Sequence, residues 1–396
     1  MNNLRSVVIV GAARTPIGCF LGSLSSLSAP VLGSVAIQAA IERTGIRKET
    51  VDEVIMGNVL SAGIGQAPAR QAALGAGLPE TTECLTVNKV CGSGLKSVML
   101  AAQSIMVGDA DTIVAGGMES MSNVPYYQMH ARNGYKMGHQ KIIDGMIQDG
   151  LWDVYNDFHM GSAAELCARK CSISRSDQDS YTRLSYERAL KAQKDGAFTQ
   201  EIIPVPVPRR GADPELIDTD EEPGRVRFDK IDSLKPVFEK DGTVTAANAS
   251  SINDGAAAVV VMAEEKARKL NLKPLVRILG QASSAKKPEW FTTAPADAIT
   301  KLLKKTGMNK DAIDLYEINE AFAVVSLAVN GILDLTVEKV NIHGGAVALG
   351  HPIGASGTRI LVTLIYALTK VRKKYGIASL CIGGGEASAL LVENLR

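Results

Sequence analysis

Ser6-Val-Val-Ile-Val-Gly11 and Leu275-Val-Arg-Ile-Leu-Gly280 are two apolar runs that end in glycine and open two similar halves of the chain. Each run is typical of a buried strand, and a helix-like stretch follows each of them. A second pair of strand-like segments, 51–58 and 313–319, comes next in the same order. This order predicts an internal duplication.

The spacing of two glycine-rich turns supports the duplication. Cys91-Gly-Ser-Gly94 begins 33 residues after Asn58, and His351-Pro-Ile-Gly354 begins 32 residues after Asn319. Each turn leads into a long apolar helix and then into a strand that ends in glycines. The alternative is a single doubly wound α/β enzyme whose halves resemble each other by chance, but the matched spacings favour two copies of one unit.

Strands that alternate with helices predict an α/β fold in which helices cover parallel sheets. The continuous apolar strands indicate burial on both faces. We predict an N-terminal half formed by residues 1–121 plus 246–272 and a C-terminal half formed by residues 273–396.

Residues 122–245 interrupt the repeat and are predicted to form an inserted loop domain. Helical patterns occupy 161–195, and a charged tract at 209–232 is predicted to contain no strand. Insertions over a rigid scaffold often carry ligand contacts. A role in packing and oligomer formation is the alternative, and both roles are open here.

Composition limits the classes of protein to which the chain belongs. Of its 396 residues, 46% are hydrophobic and 21% are charged, which is typical of soluble globular proteins. The net charge is +1, so no nucleic-acid partner is expected. No run of about eighteen apolar residues is free of charge, so no membrane span is expected. The six cysteines lack the density of a disulfide scaffold and the spacing of a zinc site, so no metal is expected.

The ends of the chain carry no recognisable targeting signal. Met1-Asn2-Asn3-Leu4-Arg5 runs almost directly into the first strand, which leaves no room for a signal or transit peptide. The C-terminal Glu393-Asn394-Leu395-Arg396 matches no peroxisomal or ER-retention signal. A cytoplasmic location is therefore expected.

Cys91 is the first candidate for chemistry, because it lies at the start of a predicted helix. The positive end of a helix dipole favours a thiolate, so a lowered pKa is expected for Cys91. The glycines beside it allow a ligand to approach the backbone N–H groups. Most free cysteines are small buried hydrophobic residues, so this motif alone leaves the role of Cys91 open.

His351 and Cys381 are the second and third candidates. His351 lies between glycine and proline ahead of a helix and is a natural base for a thiol. Cys381 ends an apolar strand, which is where α/β proteins place their sites. Alone, each is equally explained as a turn histidine or a core cysteine. Because His351 takes the place in its half that Cys91 takes in the other, the duplication predicts that thiol and imidazole meet.

Four blocks of the chain together resemble the signature set of the thiolase family, over residues 5–396 and in the family's order and spacing. These blocks are Cys91-Gly-Ser-Gly, Asn319-Glu-Ala-Phe322, Gly350-His351-Pro and Cys381-Ile-Gly383. In the inserted domain, Phe158-His159-Met160-Gly161 resembles the biosynthetic, short-chain branch. The resemblance implies two duplicated βαβαβαββ halves packed in five αβαβα layers, with an inserted loop domain.

The resemblance also implies a reversible condensation of two acetyl-CoA molecules to acetoacetyl-CoA and CoA. Cys91 would take the acetyl group with its thiolate paired to His351, and Cys381 would then move a proton of the second acetyl-CoA. One oxyanion hole would use His351 and a water held by Asn319, and the other the backbone N–H groups of Cys91 and Gly383. A pKa near neutrality would suit Cys381 in both directions. CoA thioesters would be substrates, and no cofactor is expected.

A narrow apolar slot for the pantetheine arm of CoA is a further implication of the resemblance. The residues expected to line it are Leu151, His159, Met160, Phe238, Ala247, Ser250, Ala321 and Phe322.

An arginine is expected to meet the phosphates of CoA. Arg225 is the first choice, and Arg227, Arg209 and Arg210 are alternatives because an insertion near Pro223 blurs the match. The other explanation for these side chains is a solvated, charged loop. His343 stands where relatives often carry asparagine, and it would contact the catalytic water or cap its turn.

Three other functions are alternatives to the condensation of acetyl-CoA. A degradative 3-ketoacyl-CoA thiolase would use the same residues on longer chains. A thiolase-like CoA or lipid binder would lack one of the three chemical residues, and a carrier-protein-dependent condensing enzyme would show one cysteine and two histidines. The family also implies a homo-oligomer. Gly134-Tyr-Lys-Met-Gly138 resembles a loop that forms tetramers as dimers of dimers.

Overall fold

A computed structural model describes residues 4–396 of the chain. The elements of the N-terminal half, before the insertion, are β1 (Val7–Arg14), β2 (Gly18–Cys19), α1 (Ala29–Glu42), β3 (Glu53–Gly57), α2 (Pro68–Gly75), β4 (Glu83–Val87), α3 (Ser93–Val107) and β5 (Thr112–Ser120). The insertion contains β6 (Tyr126–Tyr127), β7 (Ile143–Asp144), β8 (Trp152–Asp153), β9 (Phe158–His159), α4 (Met160–Lys170), α5 (Arg175–Lys194), β10 (Val205–Arg209) and β11 (Ala212–Ile217).

The chain then returns to the first half and continues into the second. These elements are β12 (Asn253–Ala263), α6 (Glu264–Lys269), β13 (Val276–Ala285), α7 (Ala294–Thr306), β14 (Leu315–Ile318), α8 (Ala323–Leu333), α9 (Ala346–Leu349), α10 (Ile353–Lys370), β15 (Tyr375–Ile382) and β16 (Glu386–Asn394).

The strand order shows the same topology twice. In the first half the order is β4-β3-β5-β12-β1, and in the second it is β14-β15-β16-β13. The counterpart of β4 in the second half is only a parallel bridge between Tyr316 and Val340. Where the halves meet, β1 and β13 pair at two positions, Val8 with Arg277 and Ile9 with Val276. The duplicated βαβαβαββ unit is confirmed, with one strand of the second copy reduced to a bridge.

Each half is a mixed sheet, which differs from the parallel sheets that the alternation of strands and helices predicts. Strands β3, β4 and β5 are parallel, but β12 runs antiparallel to both β5 and β1. In the second half, β15 and β16 form an antiparallel hairpin across the turn at 383–385. A short connection can join only antiparallel strands, so these glycines decide the direction of β16.

The hydrophobic core shows the five layers directly. Helices α3 and α10 pack together between the two sheets in one central cluster. Helices α1 and α2 cover the outer face of the first sheet, and α7 and α8 cover the outer face of the second. Along β12, Val259 and Val261 face the central layer while Val260 and Met262 face the outer one. Alternate side chains of a strand point to opposite faces, so a strand buried on both sides is apolar throughout.

The central helix α3 belongs to this core. The stretch Val90–Val107 is long and apolar enough by composition to cross a membrane, and most of it is buried inside the molecule. Leu95, Val98 and Ala102 pack in the cluster between the sheets. A helix with this composition is expected at the centre of a layered protein.

The insertion contains the helices predicted at 161–195, as α4 and α5. Ser174 begins α5 with a capping box, in which its side chain accepts from the N–H of Asp177 while the Asp177 carboxylate accepts from the Ser174 N–H. The prediction that 209–232 contains no strand is wrong, because β10 and β11 form a hairpin there. Its turn places Gly211 at φ 73°, a conformation that glycine adopts without strain.

A buried ion pair network holds the insertion on the first half. Arg14, at the end of β1, is fully buried and donates to Glu201 Oε1 over 2.6 Å and to Asp220 Oδ1 over 2.7 Å. Two carboxylates and one guanidinium satisfy each other here, which compensates for their loss of water. The boundaries 1–121, 122–245, 246–272 and 273–396 themselves stay predictions.

Candidate active site

The turn that carries Cys91 is strained and closely packed. Val90 has a φ of 45°, which is unusual for a β-branched residue and is typical of functional sites. The Ser93 hydroxyl donates to the Val90 carbonyl over 2.6 Å and holds the turn at the start of α3. A Cβ at Gly92 would lie 2.3 Å from Ile382 Cδ1, so a larger residue there would have to displace the Ile382 side chain. This contact joins the Cys91 turn to the other half of the molecule.

His351 lies at the start of α10, opposite this turn. Its N–H donates to Asn253 Oδ1 over 2.8 Å, and its Nδ1 lies 2.6 Å from Ser356 Oγ. Gly350 has a φ of 99°, and a Cβ there would lie 2.4 Å from the Asn253 side chain. Nε2 has no hydrogen-bond partner among residues 4–396, although it is buried. The ring is therefore held by its backbone and Nδ1, and Nε2 is free for a ligand.

Cys381 and Gly383 lie at the end of β15. Cys381 is fully buried and lies two residues before Gly383, whose N–H group reaches the Cys91 sulfur. Burial, followed by the negative charge of a Cys91 thiolate, would raise the pKa of Cys381. Gly383 borders the same cavity as Cys91. The N–H groups of Gly383 and of Cys91 itself both act to lower the pKa of the Cys91 thiol. Two backbone donors therefore converge beside the Cys91 sulfur.

Asn319 follows β14 and lies behind His351. Its Nδ2 is 3.4 Å from His351 Nδ1, and its Oδ1 is 3.5 Å from Arg359 Nη2. Arg359 is almost completely buried on α10, and Glu317 Oε2 lies 3.8 Å from Arg359 Nη1. A guanidinium has only donors, so it turns the amide oxygen of Asn319 toward itself and the amide nitrogen toward His351.

One cavity of about 420 Å³ brings these elements together. It is lined largely by apolar side chains, and Cys91, His351 and Gly383 all border it. Its lining residues are Cys91, Met121, Gly150, Leu151, His159, Met160, Val237, Phe238, Thr245, Ala246, Ala249, Ser250, Ser251, Ile252, Phe291, Ala321, Phe322, His351, Ile353 and Gly383.

The predicted CoA-contacting residues border this cavity with two exceptions. Those that border it are Leu151, His159, Met160, Phe238, Ser250, Ala321 and Phe322.

Ala247 is the first exception. Residues 245–249 form one helical turn, closed by the Ala249 N–H on the Thr245 carbonyl over 3.1 Å. Residues three or four apart share a helical face, so Ala246, Ala249 and Ser250 face the cavity and Ala247 does not.

Arg225 is the second exception. Its exposed side chain pairs with Glu221 over 3.3 Å, in a short turn on the side of β2. Arg227 pairs with Asp229, and Arg209 with Glu215. None of these arginines borders the cavity, so a phosphate contact by any of them stays a prediction.

Sequence reasoning missed several residues of the site. Ile353 is only two residues from His351, and Ser251 and Ile252 directly follow Ser250. Their place beside predicted site residues could therefore have been predicted from the sequence. Phe291 reaches the cavity from a segment before α7, and no local pattern marks it. Glu119 was missed too. Its buried carboxylate accepts the N–H of Val59 over 3.1 Å and of Gly354 over 2.9 Å, which ties β5 to the start of α10.

Burial keeps both thiols and the imidazole of the site neutral. It raises the pKa of Cys91 to about 11, against the weaker pull of the two N–H groups. It raises the pKa of Cys381 well above its ordinary value, and the charge of Cys91 adds to this. Burial, followed by the charge of Arg359, lowers the pKa of His351 to about 3. The lowered pKa of Cys91 and the near-neutral pKa of Cys381 were therefore wrong predictions, because desolvation outweighs the helix terminus.

Alkylation of the ligand-free protein should show this raised pKa. Only the thiolate reacts, so the rate of Cys91 alkylation by iodoacetamide should rise about tenfold per pH unit between roughly pH 7 and 10 without levelling off. Mass spectrometry of the Cys91 peptide measures the rate, and a free thiol of ordinary pKa in the same solution is the control. A plateau below pH 8 would show that the helix terminus dominates.

His343 is not part of the cavity. Its ring packs edge-on against Phe198 with 6.0 Å between ring centroids. Burial, with the charges of Lys370 and Arg188, lowers its pKa to about 4. This position does not favour contact with the catalytic water, and a cap on the turn stays a prediction.

Known proteins similar to this chain were found by sequence and by structure. The family model described as the N-terminal domain of thiolase matches residues 7–265, and that of the C-terminal domain of thiolase matches residues 272–394. Acetyl-CoA acetyltransferase 2 of Arabidopsis thaliana is 57% identical over 99% of this chain and 98% of its own. The acetyl-CoA acetyltransferase of Schizosaccharomyces pombe is 53% identical over 98% and 99%.

Two solved structures agree with these matches. The crystal structure of the Bacillus anthracis acetyl-CoA acetyltransferase superposes with a TM-score of 0.98 at 41% identity and covers 100% of both chains. A thiolase from Ascaris suum in complex with coenzyme A superposes with a TM-score of 0.94 at 44% identity, over 99% of this chain and 100% of that one. Because both family models match in order and the whole fold superposes, the chain belongs to the thiolase family.

Proposed function

We propose that this protein is an acetyl-CoA C-acetyltransferase, an acyltransferase that condenses two acetyl-CoA molecules to acetoacetyl-CoA and CoA and also catalyses the reverse. The observation that carries the proposal is the single cavity where Cys91 and Gly383 meet His351, with Cys381 beside Cys91. Relatives that match the chain over its full length carry this activity in their names.

The first half of the reaction acetylates Cys91. His351 Nε2 takes the thiol proton as the sulfur attacks the thioester carbonyl, and the bond from that carbon to the CoA sulfur breaks. The departing CoA thiolate takes the proton of Cys381 and leaves as free CoA. Both thiols and the imidazole are neutral before the substrate binds, so the protein does not have to stabilise a buried thiolate or imidazolium at that stage.

The second half forms the carbon–carbon bond. The Cys381 thiolate removes a proton from the methyl group of the second acetyl-CoA, and the resulting enolate attacks the acetyl carbon on Cys91. The Cys91 sulfur leaves and recovers its proton from His351. All three groups return to their starting protonation state, so the sequence of steps runs equally in reverse.

Two oxyanion holes stabilise the developing charges in this proposal. The N–H groups of Cys91 and Gly383 converge beside the Cys91 sulfur, where the acetyl oxygen would lie. The protonated Nε2 of His351 and a water held by Asn319 donate to the thioester oxygen of the second acetyl-CoA. Each such donor typically contributes about 3 kcal/mol to the stabilisation of a transition state.

The pantetheine arm of CoA is assigned to the remaining length of the cavity. His159 stacks on Phe238 with 4.7 Å between ring centroids, which forms a flat apolar wall. The Ser250 hydroxyl and N–H both bond the Ala321 carbonyl, at 2.9 and 3.0 Å, and join the slot to the Asn319 segment. CoA thioesters are substrates in this proposal, and its chemistry uses no cofactor.

The bulky walls near Cys91 favour a short acyl chain. Met160, Phe291 and Phe322 are bulky side chains that border the cavity, and Met160 Sδ would lie 3.4 Å from a Cβ at Gly383. We expect thiolysis of acetoacetyl-CoA to exceed that of a long-chain 3-ketoacyl-CoA by roughly 10²-fold in kcat/KM, because a misfit chain must displace packed side chains. Comparable rates would favour a degradative thiolase, and no activity on either would favour a binding protein.

We also propose that the protein is a homotetramer, a dimer of dimers, with the segment 126–142 in the contact between dimers. Met137 is fully exposed, and Tyr126 and Ile142 are each more than 60% exposed. Apolar surface of this kind marks interaction sites. Light scattering should give a tetramer, and Tyr135→Ser with Met137→Ser should give dimers; a monomer at micromolar concentration would contradict the proposal. The cytoplasmic location stays a prediction.

A further inference from the structure

Ser356 is a buried hydroxyl that contacts the ring of His351. It lies in the first turn of α10 and is fully buried. Its Oγ is 2.6 Å from His351 Nδ1 and 2.9 Å from the carbonyl oxygen of Pro352. It is the shortest contact of the imidazole, on the side of the ring away from the cavity.

The contact between Ser356 and His351 involves one hydroxyl hydrogen and one ring hydrogen. A serine hydroxyl has one hydrogen to donate, and in a helix it commonly donates to the carbonyl four residues earlier. The Pro352 carbonyl stands in that position. The Ser356 oxygen then presents a lone pair to Nδ1, so the Nδ1–H donates to it. In a neutral imidazole this leaves Nε2 without a hydrogen and with its lone pair available.

Asn319 opposes this arrangement. Arg359 turns the Asn319 amide so that its N–H groups face Nδ1 at 3.4 Å. An N–H beside Nδ1 favours a lone pair on Nδ1 and the hydrogen on Nε2. The Asn319 contact is long for a hydrogen bond and the Ser356 contact is short, so Ser356 decides the tautomer.

We propose that Ser356 is a positioning residue that keeps the hydrogen of His351 on Nδ1 and so makes Nε2 the base for Cys91. The inference rests on the proposed function. The proton of Cys91 passes to Nε2 during attack, Nδ1–H stays on Ser356 throughout, and Nε2 returns the proton to Cys91 when the acetyl group leaves. Once protonated, Nε2 is an N–H donor, so one nitrogen performs both roles without a change at Nδ1.

Removal of the Ser356 hydroxyl should leave Asn319 as the group that determines the tautomer of His351. In Ser356→Ala, Nδ1 becomes an acceptor for the Asn319 N–H and the hydrogen moves to Nε2. Alanine is smaller and a better helix former, so α10 should remain folded. The exchange of labelled CoA into acetyl-CoA needs only the acetylation of Cys91. Its kcat should fall by roughly 10²-fold, as expected for loss of a general base, with KM within about twofold.

The tautomer itself is measured by ¹⁵N spectra of histidine-labelled protein, with the His351 signals identified by their loss in His351→Asn. We expect Nδ1–H in the unchanged protein and Nε2–H in Ser356→Ala. Ser356→Thr keeps the hydroxyl and should keep both the Nδ1–H form and the exchange rate. Thr369→Ala is the control, because Thr369 bonds the Ile365 carbonyl over 3.0 Å in the same way at the far end of α10.

Two results would overturn the inference: an Nε2–H signal for His351 in the unchanged protein, or exchange by a folded Ser356→Ala at the unchanged rate. The first needs only His351→Asn, for the assignment of the signals, so the test holds even where Ser356→Ala does not fold. Failure of the proposed function is distinguishable, because the unchanged protein would then exchange no CoA at all.

Discussion

Cys91→Ala is expected to lower kcat for thiolysis of acetoacetyl-CoA by roughly 10⁴-fold or more. The substitution removes the only thiol among the described residues that line the cavity and leaves the backbone donors of Gly383 and residue 91 in place. Loss of a covalent nucleophile typically costs this much, because the remaining groups cannot split the reaction into two steps. Mass spectrometry after incubation with acetyl-CoA should show the added acetyl group on the unchanged protein and none on the variant.

Cys84→Ala is the matched control for this experiment. Cys84 is a half-buried free thiol on β4 and does not border the cavity. Its replacement should leave activity within about twofold and acetyl incorporation complete. If Cys91→Ala is acetylated at another residue and keeps its thiolysis activity, the assignment of Cys91 as the nucleophile is contradicted.

Cys381→Ala should separate the two halves of the reaction. Cys91 and His351 remain, and water can protonate the departing CoA thiolate in place of Cys381, so exchange of labelled CoA into acetyl-CoA should fall by no more than about tenfold. Condensation and thiolysis should fall by roughly 10³-fold or more, because no group remains to move the methyl proton. The acetylated enzyme should accumulate, and rapid mixing with acetyl-CoA should release close to one CoA per active site.

Cys167→Ala is the control for Cys381→Ala, since Cys167 is a buried thiol on α4 whose charge also reaches Cys381. It should leave both half-reactions intact, apart from a small loss of stability from the emptied volume. Equal loss of exchange and condensation in Cys381→Ala would limit Cys381 to protonation of the departing CoA or to the structure, and would contradict its role with the second acetyl-CoA.

The positions of the chemical groups along the chain were predictable because they follow from the duplication. Cys91 and His351 each precede a buried central helix, and equivalent segments of a duplicated fold meet at equivalent places. Gly383 was named as a donor only through the resemblance to the thiolase family. Arg225 was not placed at the cavity, since the course of a charged loop depends on its partners, here Glu221, rather than on its own composition.

The sequence by itself determined the duplicated α/β units, the insertion and the residue types at the site, because periodicity and glycine turns are local properties of a chain. Only the tertiary structure decided the mixed direction of the strands and the entry of Phe291 into the cavity. It also decided the protonation state of the site. Desolvation of Cys91 depends on groups brought together from both halves, and no local pattern records how much water they exclude.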